Sequence, residues 1–301
     1  MMKGIFAGRS VLFHFGVLTM LLCMGFVAAS VAMVVLTAVT GLDADSAMSL
    51  QYAQLVASIL VFLFPAMAAA WLCSRQPASF LGLKQVRDVR LLMWIAAATF
   101  LILPTVSLAG HFNMQMRLPE FMAPLERLMR EMEDAAMEAT VKMLQNEGFV
   151  ALLVNLTVIA VAAGICEEFF FRGTVLSILR RKIRNPHVAI WTVAVIFSVI
   201  HFQFYGFVPR MLLGAFMGYL MYWGRSIWAP VFAHFLNNAA VVVGMSNSAL
   251  KDNVFFAQEL PADDLGWFSV MAAVTLTAFF GCMRMIYRMS EKKAASRNSP
   301  C

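Results

Sequence analysis

Long apolar stretches broken by short polar ones dominate this chain, and each stretch predicts a helix able to cross a bilayer, for which about 20 residues suffice. Eight spans are expected, over residues 11–39, 52–73, 91–109, 149–179, 188–204, 208–223, 227–243 and 267–283. The sixth is the weakest, being short and carrying Arg210. Between 119 and 146 the pattern changes. Phe121, Leu125, Leu128, Met132, Ala136 and Met143 recur at helical spacing, while Glu126, Arg130, Glu131, Glu133, Asp134 and Glu138 fill the other faces. This predicts an amphipathic helix outside the bilayer. Its excess of acidic groups opposes adhesion to anionic lipid, so it should dock on the protein, as a linking helix or as a gate over a substrate path. No internal repeat and no soluble domain is visible. Residues 1–301 should therefore form a single integral membrane domain, all-α, a polytopic transmembrane helix bundle of about eight spans with one external amphipathic helix.

Composition agrees, at 61% hydrophobic and 13% charged. Charge placement adds an orientation, because cytoplasmic loops collect Lys and Arg. With the N-terminus inside, the inner segments hold Lys3, Arg9, Arg75, Lys84, Arg87, Arg90, the 180–184 cluster, Arg225 and the basic tail. The outer segments hold most of the acidic residues, among them Asp43, Asp45, Asp252, Asp263 and Asp264. Both termini are then cytoplasmic. The first span could also be a signal peptide, but its apolar run of about 29 residues exceeds the 7–15 of a signal core, which favours an uncleaved helix. The net charge of +6 reflects this asymmetry and contact with membrane lipid, not nucleic acid. Five cysteines without paired spacing read as small packing residues, not as a disulfide framework or metal site. Gly214 and Gly218, four apart in the sixth span, permit close helix approach.

Chemistry concentrates in the second half. Glu167 and Glu168 sit together in an otherwise apolar run, with Arg172 one turn on. A charge at mid-bilayer costs roughly 3 kcal/mol on insertion scales, so three within six residues point to function. On a helix Glu168 and Arg172 are i,i+4 neighbours able to pair, and Glu167 points about 100° away. A buried carboxylate left free of that pair suits a general base. His201 follows Phe197 by four residues and Asn238 follows His234 by four, each pair on one helix face. Counted at about 1.5 Å per residue from the basic ends, Glu167 and His201 lie roughly 20 Å deep, Asn238 roughly 16 Å and His234 roughly 10 Å. They can meet in one cavity within the membrane.

The ordered set Glu167-Glu168-x-x-x-Arg172, Phe197-x-x-x-His201 and His234-x-x-x-Asn238 resembles the three motifs of the CPBP family, the CAAX-protease and bacteriocin-processing (Abi) intramembrane peptidases. The resemblance covers about 164–240 and implies an endopeptidase acting on a membrane-associated protein or peptide, in a bacterial inner membrane. It implies Glu167 as the activator of water, with His201, His234 and Asn238 completing the site and Glu168 and Arg172 supporting it. Residue chemistry gives matching roles. Glu167 takes a proton from water with help from His201, and His234 and Asn238 donate to the oxyanion. Arg172 either balances Glu168 or holds a substrate carboxylate. No cofactor is the favoured reading, because Asn238 suits a hydrogen-bond donor and no HExxH occurs. Zn²⁺ held by Glu167, His201 and His234 is the alternative.

Other intramembrane proteases lack their residues here. All seven aspartates fall in loops or the outer segment, and no Gly-x-Ser-Gly is present. The rivals of another class are an ion-coupled transporter using the same charges and a catalytically idle scaffold or immunity protein; the missing repeat counts against the first. The charge asymmetry is testable by fusion of a reporter to the C-terminus. A fluorescent protein that matures only in the cytoplasm should glow there, and alkaline phosphatase should stay inactive; the opposite pattern would overturn the orientation.

Overall fold

The computed structural model describes residues 2–86, 88–246 and 264–298, so Asp252 and Asp263 lie outside the described residues. Every regular element among these is a helix. In order they are α1 (Val11–Thr40), α2 (Ala47–Cys73), the short α3 (Pro77–Leu81), α4 (Val89–Met114), α5 (Ala123–Leu144), α6 (Phe149–Leu179), α7 (Pro186–Val199), α8 (Phe207–Gly224), α9 (Trp228–Ser246) and α10 (Leu265–Asn298). Local chemistry sets several ends. Ser10 and Ser46 cap α1 and α2 by accepting from the Phe13 and Ser49 amides, and Asn185 caps α7 ahead of Pro186. Gly41 stops α1 in the left-handed conformation at φ 66°.

Among the described residues seven helices are long and apolar enough to cross a membrane. Eight spans were expected, and the shortfall is α7, with 14 residues. At about 1.5 Å per residue it covers about 21 Å of a core near 30 Å thick. The sixth span, which looked weakest, is instead a full helix: α8 runs over 18 residues despite Arg210. The fifth stops early because the chain turns back between α7 and α8. The Ser198 hydroxyl donates to the Phe207 carbonyl at 2.7 Å, and Phe202 takes φ 54°.

Such a turn exposes backbone groups that lipid cannot satisfy, so protein must cover them. Asn113 at the end of α4 does so twice, donating from Nδ2 to Phe204 O at 3.1 Å and accepting from Val208 N at 2.8 Å. Glu133 of α5 accepts from Gln203 Nε2 at 3.2 Å and from Tyr205 N at 3.0 Å. The external helix thus docks on the protein, directly over the turn. Arg130 lies 4.2 Å from the centre of the Tyr205 ring. Arg130, and after it the Leu118 amide, hold the half-buried Glu126 carboxyl below its ordinary range by hydrogen bonding to it.

Small residues bring the spans together. A Cβ on Gly214 would lie 3.2 Å from Ala194 Cα, and one on Gly218 would lie 2.7 Å from Ile190 Cγ2, so α7 and α8 form a tight hairpin. Phe169, Phe170 and Phe171 of α6 pack against α1, α2 and α7 in one apolar cluster, and α4, α8, α9 and α10 share a second. Leu12, Val27, Val34 and Val39 of α1 are exposed, a surface suited to lipid. The closest approach is at Gly25, where a Cβ would sit 2.1 Å from Leu60 O. Gly25→Ala should therefore lower the thermal midpoint in detergent by the equivalent of about 1–3 kcal/mol, as overpacking does. Gly16→Ala, which meets nothing within 4 Å, should leave it unchanged. Equal midpoints for the two variants would contradict the close packing of α1 on α2.

Candidate active site

Glu167 and Glu168 occupy an α-helical turn of α6, Ala163–Glu168, between two π-helical turns, Leu156–Ala162 and Phe169–Val175. π-turns are rare and gather at functional sites. Gly164 packs against α9, where a Cβ would make an ordinary contact with Phe235 N at 3.4 Å. The two carboxylates diverge as helical geometry requires. Glu168 points into the bundle and is fully buried, whereas Glu167 lines a cavity.

Arg172, itself fully buried, donates from Nη1 to Glu168 Oε1 at 2.7 Å and from Nη2 to Gly214 O at 2.9 Å. Its guanidinium also lies 4.7 Å from the centre of the Phe197 ring. The same Glu168 oxygen lies 2.8 Å from His234 Nδ1. A carboxylate oxygen only accepts, so Nδ1 carries a proton, and in the neutral imidazole His234 Nε2 bears the lone pair. That nitrogen faces Glu167 Oε2 at 3.9 Å. On the opposite side His201 Nδ1 donates to Phe197 O at 2.6 Å, which leaves its Nε2 free at 4.0 Å from the same Glu167 oxygen.

Three acceptors therefore converge with no donor among them, and a water molecule there can donate its two hydrogens to two of them at a time. The cavity measures about 260 Å³ and is walled by Pro209, Arg210, Leu213 and Asn237 as well as by Glu167, His201, His234 and Asn238. Water needs roughly 30 Å³. The space thus admits several waters or a peptide group. Asn238 donates from Nδ2 to Ile159 O at 2.9 Å and accepts from Asn237 Nδ2 at 3.1 Å, so among the described residues one of its amide hydrogens remains open.

All four residues expected to form the site meet here, with differences of detail. His201 lies beyond the end of α7, in the turn braced by Asn113 and Glu133, not on a helix as expected. Arg172 does not line this cavity, so it balances Glu168 and holds no substrate carboxylate there. Glu168 does more than pair with Arg172, because it also fixes the His234 ring. Arg210 was counted only against its span, yet it stands on the cavity wall with Nη2 donating to Gln203 Oε1 at 2.8 Å. Its signal was present, since an arginine one turn inside an apolar helix is itself costly. Cys166 is buried and is not among the residues around the cavity.

Zinc held by Glu167, His201 and His234 would need closer ligands. Ligands of a tetrahedral zinc with bonds near 2.0–2.1 Å stand roughly 3.3 Å apart, less than the 3.9 and 4.0 Å between Glu167 and the imidazoles. Among the described residues no group of three His, Cys, Asp or Glu is placed to hold a metal ion. The trio does not fit zinc in this geometry.

Residues 149–240 match the family model described as type II CAAX prenyl endopeptidase Rce1-like. This segment is an Rce1-like domain. It begins with the first residue of α6 and ends two residues past Asn238, so it contains the 164–240 region that carries the three motifs. The Rce1-like domain holds both glutamates, Arg172, both histidines and Asn238, while Asn113 and Glu133, which brace the His201 turn, lie outside it. No curated protein and no solved structure matches the chain. With seven helices among the described residues long and apolar enough to cross a bilayer, the chain is an integral multi-pass membrane protein, and its segment 149–240 is similar to an intramembrane protease family.

Breaking a buried ion pair by removing one partner costs about 3–5 kcal/mol, because the other charge is stranded. Arg172→Met should therefore destabilise the bundle by about that amount in thermal unfolding, and adding Glu168→Gln should recover a part of the loss. A single variant as stable as wild type would contradict the buried pair.

Proposed function

We propose that the chain is an intramembrane endopeptidase in which Glu167 activates water for hydrolysis of a peptide bond in a membrane-associated protein or peptide. The observation that carries this reading is the convergence of Glu167 Oε2 with the free Nε2 atoms of His201 and His234. Water held there gives one proton to Glu167 and directs its other hydrogen to an imidazole nitrogen. Its oxygen bonds to the carbonyl carbon of the scissile peptide. The open amide hydrogen of Asn238, the Asn237 amide and the positive charge of Arg210 are the available partners for the resulting oxyanion. Collapse of the tetrahedral intermediate breaks the C–N bond as the proton on Glu167 passes to the leaving nitrogen. An amine and a carboxylic acid result, and the acid gives up its proton to water. No metal takes part in this scheme.

Glu168 and Arg172 act through His234. Their pairing keeps its Nδ1 protonated and its Nε2 toward the water, so they are positioning residues. The transporter reading has no internal repeat in the sequence to support it.

Purified protein should cleave a membrane peptide substrate, found by comparing membranes of cells that carry wild type or Glu167→Ala. Glu167→Gln should lower the rate by about 10²–10⁴-fold, the usual worth of a general base, with unchanged thermal stability. Full activity should survive exhaustive chelation. Loss of activity on chelation with recovery on zinc would overturn the metal-free scheme, and an active Glu167→Gln would overturn the assignment of the base.

A further inference from the structure

A second cavity, of about 790 Å³, lies at the end of the bundle where α6 and α8 finish and the α3–α4 connection passes. It is a constructed cleft. The Ser177 hydroxyl donates to Phe80 O at 2.9 Å, Ile227 N donates to Gly82 O at 2.9 Å, and the Ser226 hydroxyl bonds the Lys84 carbonyl. These bonds tie the connection to both helix ends.

Its charge is one-sided. Lys84, Arg172, Arg180 and Arg225 line it, and among the described residues no carboxylate does. Glu168 neutralises Arg172, but among the described residues Lys84, Arg180 and Arg225 form no ion pair. Two of the guanidiniums also keep idle donors: Arg172 Nε and Arg180 Nη1 are buried without a hydrogen-bond partner. Buried donors left unpaired cost stability, and an anion would remove that cost. Arg225 takes φ 48° as the residue that ends α8, a conformation that glycine adopts without strain. The chain keeps an arginine there.

The lining also contains Phe80, Leu176 and Met221, and Leu83 and Tyr222 stand exposed at the mouth beside Lys84 and Arg225. A basic cleft between helix ends with apolar walls suits a phosphate joined to a glycerol and acyl chains better than a free ion. We propose that this cleft binds the phosphate headgroup of an anionic phospholipid, held by Lys84, Arg180 and Arg225. The cleft is separate from the Glu167 cavity, and the inference does not depend on peptidase activity.

The test uses the full-length protein in nanodiscs or detergent, with bound lipid read by native mass spectrometry and by thermal shift. Phosphatidylglycerol should bind wild type and raise its midpoint where phosphatidylcholine does not. Arg180→Gln with Arg225→Gly should weaken phosphatidylglycerol binding about tenfold or more, since each basic group near the surface contributes to such attraction. Arg9→Gln with Arg90→Gln, exposed cations at the same end of the bundle but not around the cleft, should bind as wild type does. The thermal midpoint in phosphatidylcholine checks folding, and Lys84→Gln with Arg225→Gly, both at exposed positions, replaces any variant that fails it. Equal binding of the two lipids, equal loss in the control variant, or inorganic phosphate bound as tightly as phosphatidylglycerol would each overturn the proposal.

Discussion

The ion pair between Glu168 and Arg172 governs the arrangement of everything around it. Both side chains are fully buried in a protein that sits in lipid, at a contact of 2.7 Å. Either charge alone would be strongly destabilising in that setting, and together they stay only because each has further partners. Arg172 adds the Gly214 carbonyl, which ties α6 to α8, and Glu168 adds His234, which ties α6 to α9. Three spans are thereby joined through polar contacts in an otherwise apolar interior. Buried networks of this kind fix a single geometry because partial satisfaction is so unfavourable.

Two adjacent carboxylates acquire opposite tasks from this. Helical geometry turns Glu168 inward to the arginine and leaves Glu167 facing the cavity, about 100° around the helix. Glu168 then orients the His234 ring through Nδ1, and the Phe197 carbonyl orients His201 in the same sense. Two imidazoles so fixed present lone pairs to the same Glu167 oxygen. The reactive centre is made of acceptors, and its chemistry belongs to the proton donor that enters it.

Much of this was legible in the sequence because the governing spacings are local. The i,i+4 pairing of Glu168 with Arg172, the divergence of Glu167 and the shared face of His234 and Asn238 follow from a single helical period. The early end of α7 did not follow. Residues 200–204 are as apolar as the helix before them apart from His201 and Gln203, and the turn depends on Asn113 and Glu133, which lie about 70 to 90 residues upstream. Arg210 was misjudged for a related reason: a charge in an apolar run weakens a span when counted by composition, whereas its partner Gln203 and its place on the cavity wall appear only after the hairpin closes. The π-turns on either side of the acidic pair also have no mark in a pattern read at 3.6 residues per turn.

The division between the two glutamates can be measured directly with a hydrophobic carbodiimide, which reacts with accessible carboxyl groups in membranes, followed by fragmentation mass spectrometry of the peptide that spans 164–179. The expected adduct is on Glu167, with Glu168 unmodified in the native protein and labelled only after unfolding. Labelling of Glu168 in the native protein, or equal labelling of both, would contradict the buried pair and with it the orientation of His234 and the reading of the cavity as a hydrolytic site.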